Sequence, residues 1–166
     1  FMLVCAMNPC RCGWRGHPNK RCTCTDQMVE KYVSRISGPL LDRMDLHVQV
    51  PSVEFDAMRR RESPEPSAVI RRRVNAAREL QSKRYAGTEV SCNAQMTPSM
   101  VGLYCQLDDR GERLLRGAFD RMGLTARSHD RILRMARTIA DLEGEEQILP
   151  THLAEAIQYR SSAMLK

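Results

Sequence analysis

No glycine in this 166-residue chain is followed by lysine. That absence removes the G-x-x-x-x-G-K-[ST] loop whose backbone amides cradle nucleotide phosphates. No aspartate is followed by glutamate either, so the acidic pair that holds magnesium after an apolar strand is missing as well. Aromatics are scarce at 5%, with a single tryptophan. No apolar run reaches the roughly 20 residues needed to cross a bilayer. The opening run from Phe1 to Met7 is too short for that, and it lacks the basic flank and cleavage site of a secretory signal. These absences argue against a membrane partner. Seven cysteines without an export signal point to reduced thiols in a cytoplasmic setting, or to a metal. A hydrophobic fraction of 42% and a charged fraction of 28% fit a globular protein of one domain or two small ones.

What the chain does have is a localised charge. Its formal net charge is +6. From Arg59 to Arg84 nine basic residues face three acidic ones, a surplus as large as the net charge of the whole chain. A stripe of this kind is the footprint expected of phosphate contacts, and Arg71, Arg72, Arg73 and Arg78 are its candidate nucleic-acid-binding residues. A solvated helix face is the competing interpretation.

Apolar patterning divides the chain. The unbroken run Phe1 to Met7 ends abruptly on Asn8. It reads as a strand buried on both faces, delivering one amide at the sheet edge where ligands bind in open α/β folds. Asn8-Pro9 also suits an ordinary turn. Leu46, Val48 and Val50 alternate before Pro51 and read as a second strand. Between the two lie a cysteine-rich insertion (9–25) and a helix. Thr25 or Asp26 can cap that helix, Met28, Val29, Tyr32, Val33 and Ile36 form its apolar face, and Gly38-Pro39 stops it. Residues 52–66, with Pro64 and Pro66, form a spacer. A helix is then expected from Ser67 to about Tyr85, with Ile70, Val74, Ala77 and Leu80 inward. Four more should follow, opening at Thr97-Pro98, Asp108-Asp109, Ser128 and Pro150-Thr151. The second of these should end at Gly123. The fold class is thus mainly α: residues 1–51 as the tail of an α/β core, and 67–166 as an all-α bundle.

Cys10, Cys12, Cys22 and Cys24 form two close pairs across a short loop, the donor set of a closed tetrahedral zinc site. Arg11, Arg15, Lys20 and Arg21 would offset its excess negative charge, and His17 can replace one thiolate. Free thiols, disulfides and an iron–sulfur cluster remain open for the same residues. Cys5, Cys92 and Cys105 sit on apolar patterns and are expected in the core. His47, His129 and His152 are isolated in sequence, and no chemistry is assigned to them.

Three segments taken together carry a resemblance. They are the run ending in Asn8, the stretch from Arg35 through Leu40-Leu41-Asp42-Arg43 to Leu46, and the segment Leu124 to Leu142 with Arg127 and Arg131. In this order they resemble the Mg-chelatase-like branch of AAA+ ATPases, and within it the ComM/YifB group. The resemblance runs from Phe1 to about Arg160. It implies the end of a P-loop AAA+ core followed by a helical lid, as the C-terminal part of a longer protein whose phosphate loop lies elsewhere. It further implies ATP and Mg²⁺ as cofactors of the intact protein, a homo-oligomeric ring expected to be hexameric, and DNA branch migration in natural transformation. This chain alone is then expected not to hydrolyse ATP. Asn8 matches the family's first sensor, and Arg43 its arginine finger, with Arg35 as runner-up. Arg43 also suits a local pair with Asp42 or Asp45. Arg127 matches the second sensor, with Arg131 as the alternative. The competing readings are the ATPase subunit of a magnesium-chelatase-type metal-insertion complex and a zinc-stabilised helical interaction module.

Overall fold

The computed structural model describes residues 2–52 and 65–160. Among them are seven α-helices and one 3₁₀ turn, and no strand. Most of the expected spacer, Arg59 to Arg61 within the basic stripe, and residues 161–166 lie outside the described residues. The described residues fall into two compact units, 2–44 with 48–52 and 45–47 with 65–160.

In the first unit, α1 (Asp26–Val33) begins where Thr25 Oγ1 accepts the Met28 amide at 3.3 Å. That is the expected cap, satisfying one of the orphan donors of the first turn. Gly38-Pro39, expected only to stop this helix, instead opens another. Ser37 Oγ accepts the Leu40 amide at 3.3 Å, and α2 (Gly38–Arg43) follows with proline in its first turn. A proline there forfeits no helical hydrogen bond, so the pair serves as a start as readily as a stop.

The two expected strands form no ladder. Val4, expected to be buried on both faces of a sheet, is 80% exposed, and Val50, expected on an alternating strand, is 82% exposed. A strand owes its hydrogen bonds and its burial to neighbouring strands, and among the described residues these two runs have none. Cys5 is exposed with them, against the expectation of a core position. Cys105 is buried, and Cys92 lies between.

The second unit is a helical bundle. Its elements are α3 (Ser67–Arg84), a 3₁₀ turn (Asn93–Gln95), α4 (Pro98–Tyr104), α5 (Asp109–Met122), α6 (Ala126–Glu143) and α7 (Pro150–Gln158). The caps are largely those the sequence supplies. Thr97 caps α4, and Asp108 Oδ1 accepts the Gly111 amide at 2.7 Å. Gly123, at φ 59°, closes α5 in the left-handed conformation that only glycine adopts without strain. Helix α6 starts earlier than expected, because Thr125 supplies the cap and the Ser128 amide donates to its Oγ1 at 3.2 Å. The core centres on α6: Ile132, Leu133, Ala136 and Ile139 pack with Val101, Cys105, Leu115, Ile148 and Leu153. Complete burial of Ile132 and Leu153 is worth about 1.5–3 kcal/mol each.

Helix α3 departs from its expected face. Ile70, Val74 and Leu80 are 43%, 45% and 37% exposed, and only Ala77 and Gln81 are buried along it. The helix is held instead by its last turn and by polar groups. Arg84 donates from Nη1 to Asp141 Oδ2 (2.8 Å) and from Nη2 to Asp141 Oδ1. Asn93 Nδ2 donates to the same carboxylate at 2.8 Å and Arg137 Nε at 3.1 Å. The Asp141 side chain has no exposed surface. Burial works against its ionisation, but Arg84, Asn93 and Arg137 outweigh burial and hold the carboxyl below its ordinary range. Tyr85, with its hydroxyl donating to Asn93 Oδ1 at 2.7 Å, completes the joint.

Candidate functional site

The cysteines expected to ligate a metal converge. Cys10 Sγ lies 3.4 Å from Cys12 Sγ and 3.6 Å from Cys22 Sγ, and Cys12 and Cys22 are 3.5 Å apart. With Cys24 included, all four sulfurs fall within 4.8 Å of one another. A tetrahedral zinc with Zn–S bonds of about 2.3 Å places its sulfurs about 3.8 Å apart, so the spacing fits. A disulfide needs about 2.05 Å, and none of these pairs is bonded.

The loop is built for this convergence. Gly13 adopts φ 82° and returns its amide to the Cys10 carbonyl at 3.0 Å, turning the chain sharply between the first pair and Trp14. The turn aims amides at sulfur. Donors from Trp14 and Thr23 pull the Cys12 thiol down to about 5. Burial raises Cys10, yet amide donors from Arg15 and Gly13 help to keep it below its usual value. Cys22, despite an amide hydrogen bond from Cys24, is pushed up to about 11 by desolvation and by Cys12 and Cys10 beside it. Four thiolates this close repel strongly and cannot all stay charged without a cation among them. His17, the substitute ligand, instead accepts the Asn19 amide on Nδ1 at 3.1 Å and meets Trp14 edge-on.

The residues matched to nucleotide chemistry are surface groups. Asn8 is exposed at the foot of the cysteine loop, and a Cβ added to Gly13 would stand 3.9 Å from its side-chain amide. Arg43 is exposed in the last turn of α2 and donates to the Pro39 carbonyl at 3.1 Å. Arg35 is also exposed, between α1 and α2. Arg127 is exposed in the first turn of α6. Arg131, one turn on, is half-buried and pairs with Asp45 at 2.6 Å. The segment containing Asp45 is tied down again where the His47 amide donates to the Tyr159 carbonyl at 2.9 Å.

On the basic helix, Arg71, Arg72, Arg73 and Arg78 are all exposed, and Arg73 pairs with Glu65 at 3.0 Å. Arg84 turns inward to Asp141, so it leaves the outward stripe. His152 is not isolated. It is buried, accepts the Leu149 amide on Nδ1 at 3.1 Å and meets Glu143 at 2.9 Å through Nε2. The histidine three residues after the cap position was the available signal, and its role is to cap α7. His129 likewise lies 3.2 Å from the Asp130 carboxylate.

Two family models cover the chain in tandem. Magnesium chelatase, subunit ChlI, matches residues 1–58, and magnesium chelatase, subunit ChlI C-terminal, matches residues 64–160. Competence protein ComM of Haemophilus influenzae is 39% identical over 167 positions, covering 99% of this chain and 31% of that protein. The uncharacterized protein YifB of Escherichia coli is 37% identical, over 97% of this chain and 31% of its own length. An uncharacterized protein of Mycobacterium tuberculosis is 33% identical over 98% of this chain and 32% of its own. The chain therefore spans about a third of the length of the curated relatives it matches.

Proposed function

From the premise that this chain belongs to the magnesium-chelatase-like family of AAA+-type ATPases, in its ComM/YifB group, we propose that it is the C-terminal part of a ring-forming DNA motor. In the intact protein it supplies the closing elements of the ATPase site and the helical lid. The observation that carries this reading is the tandem match, which runs almost without a break across both units. The runs 2–7 and 46–50 are then strands of the AAA+ core, and pairing with the rest of its sheet covers the apolar surface they expose here. ATP and Mg²⁺ belong to the intact enzyme.

Each matched residue has a physical task. Asn8 carries both a donor and an acceptor, which suits orienting a water against a terminal phosphate. Arg43 lies exposed at a helix end on a long side chain. A guanidinium delivered from there to a neighbouring subunit's nucleotide offsets the charge that develops during phosphoryl transfer. Arg127 opens the lid helix α6, where a cation can close on the phosphate and couple its loss to lid movement. Arg131, which engages Asp45, is the alternative. In the cysteine loop, Cys10, Cys12, Cys22 and Cys24 would hold a structural Zn²⁺ that fastens the loop and takes no part in turnover. The sulfur spacing and the inward amides support that assignment.

A magnesium-chelatase-type role in metal insertion is the second reading, favoured by the description of the matched family. DNA binding by the full-length protein, with and without ATP, separates the two. The finger assignment has its own test. Full-length protein carrying Arg43→Ala should assemble and bind nucleotide yet lose turnover by about 10³-fold or more. Mixing it with a subunit disabled in its own phosphate loop should restore part of the rate, because the finger acts in trans. No restoration would assign Arg43 to a local structural role.

A further inference from the structure

We propose that the cysteine loop, residues 10–25, is a binding surface for single-stranded nucleic acid. Trp14 stacks on an unpaired base, while Arg11, Lys20 and Arg21 meet the flanking phosphates. The inference deepens the reading of the intact protein as a DNA motor and rests on that reading only for its biological setting.

Four observations converge on it. Trp14, the chain's one tryptophan, is 37% exposed on a loop where burial would be the ordinary fate of an indole. Its ring is positioned: His17 meets it edge-on at 5.2 Å between centroids, and the Lys20 ammonium lies 3.8 Å from the ring centre. The charge is one-sided, since residues 10–25 include Arg11, Arg15, Lys20 and Arg21 and no aspartate or glutamate. Of these cations Arg15 is engaged with Asp26 at 3.0 Å, while Arg11, Lys20 and Arg21 are exposed. Finally, the four cysteine sulfurs of the loop converge within 4.8 Å, and a Zn²⁺ bound there would hold ring and cations in advance of any ligand. A Zn²⁺ with four thiolates carries a net charge of −2, which still leaves the loop with two surplus positive charges.

The chemistry selects an unpaired strand. A base stacks on an indole with any sequence, and backbone phosphates supply the negative charge that the three exposed cations lack. The ammonium over an exposed ring is a weak tenant. An arriving base displaces it from the ring face, and the freed ammonium can then reach the adjoining phosphate. In a duplex the bases stack on each other and offer Trp14 no face. An acidic protein would use the charges but leave the indole idle.

Because the chain has one tryptophan, its fluorescence reads this contact directly. Titrating the reduced 166-residue chain with an oligothymidylate should quench Trp14 saturably, whereas a duplex of equal length should quench little. By fluorescence anisotropy of a labelled strand, Trp14→Ala should bind about 5- to 100-fold more weakly, and Trp14→Phe should keep most of the affinity. Lys20→Gln should flatten the slope of log affinity against log salt by about 0.7. Metal content and circular dichroism show that each variant keeps its fold. Absence of quenching, equal quenching by duplex, or unchanged affinity in both Trp14→Ala and Lys20→Gln would overturn the proposal. So would full protection by heparin at equal charge, which reports charge without stacking. An intact protein whose ATPase ignores DNA while this chain still quenches would refute the motor and leave the loop's role standing. DNA-stimulated turnover without quenching would do the reverse.

Discussion

Replacing Asp141 by asparagine should destabilise the helical unit more than any other single polar change within it. The carboxylate accepts from Arg84 through both terminal nitrogens, from Asn93 Nδ2 at 2.8 Å and from Arg137 Nε at 3.1 Å, and its side chain has no exposed surface. Asparagine keeps the shape and removes the charge. It leaves the Arg137 guanidinium, 2% exposed, without its counterion, and Arg84, 16% exposed, with little water to replace one. Breaking a buried pair in this way costs about 3–5 kcal/mol. For a unit of this size each kcal/mol moves the melting temperature by about 4–8 °C, so the midpoint should fall by about 12 °C or more. Urea unfolding followed by far-ultraviolet circular dichroism measures the loss, with an unchanged m-value marking a change in stability alone. The pH dependence follows from the depressed carboxyl. Its folded value lies below the unfolded one near about 3.9, so its contribution is complete above that pH and is lost as pH falls through the folded value. Asp141→Asn should lack this part of the acid transition. Arg84→Met combined with Asp141→Leu should not recover the loss, because the buried Arg137 still lacks its counterion. A loss below about 1 kcal/mol for Asp141→Asn would refute the reasoning, for it would mean that water already reaches these guanidiniums.

Elemental analysis of protein purified under reducing conditions should find about one zinc per chain. Cys22→Ser should abolish it and speed hydrogen exchange only around residues 9–25; an equally ordered loop without metal would remove the assignment. Changing Arg71, Arg72 and Arg73 together to glutamine should weaken duplex DNA binding by the full-length protein whatever the sequence. Because three consecutive positions span most of a helical turn, at most two can face one backbone, and the salt slope should flatten by about 0.9 for each phosphate no longer neutralised. An unchanged slope would make the stripe a solvated face.

How much of this was legible in the sequence depends on how far each interaction reaches along the chain. Thr25, Thr97 and Asp108 cap helices through amides three residues on, so a local pattern announces them. The four cysteines lie within fifteen residues, and their convergence could be read from spacing. Helix α3 shows the limit. Its periodic apolar residues named Ile70, Val74 and Leu80 as inner, yet the joint that holds it is Arg84 with Asp141, 57 positions away. Periodicity reports which residues would be content inside, and a partner must still be present to cover them. The same holds for the runs 2–7 and 46–50, whose apolar patterns ask for a sheet that the described residues do not provide.

The arginines carry this point furthest, because in sequence they all look alike. Arg84 and Arg137 are consumed by Asp141, Arg131 pairs with Asp45, Arg15 with Asp26, and Arg73 with Glu65. Arg43, Arg71, Arg72, Arg78 and Arg127 stay at the surface. What draws Arg84 and Arg131 to their partners is the position of a carboxylate in three dimensions, and a carboxylate 57 or 86 residues away leaves no trace in local spacing. An arginine facing Asp141 stabilises its own bundle and can serve nothing else without unfolding it. An arginine at a helix end with its guanidinium near water can be directed to a phosphate at little cost to the fold. Arg84, paired with Asp141, does not meet that condition. Basic residues on one helix therefore divide between holding the protein together and staying exposed, and the division falls within α3 itself, between Arg78 and Arg84.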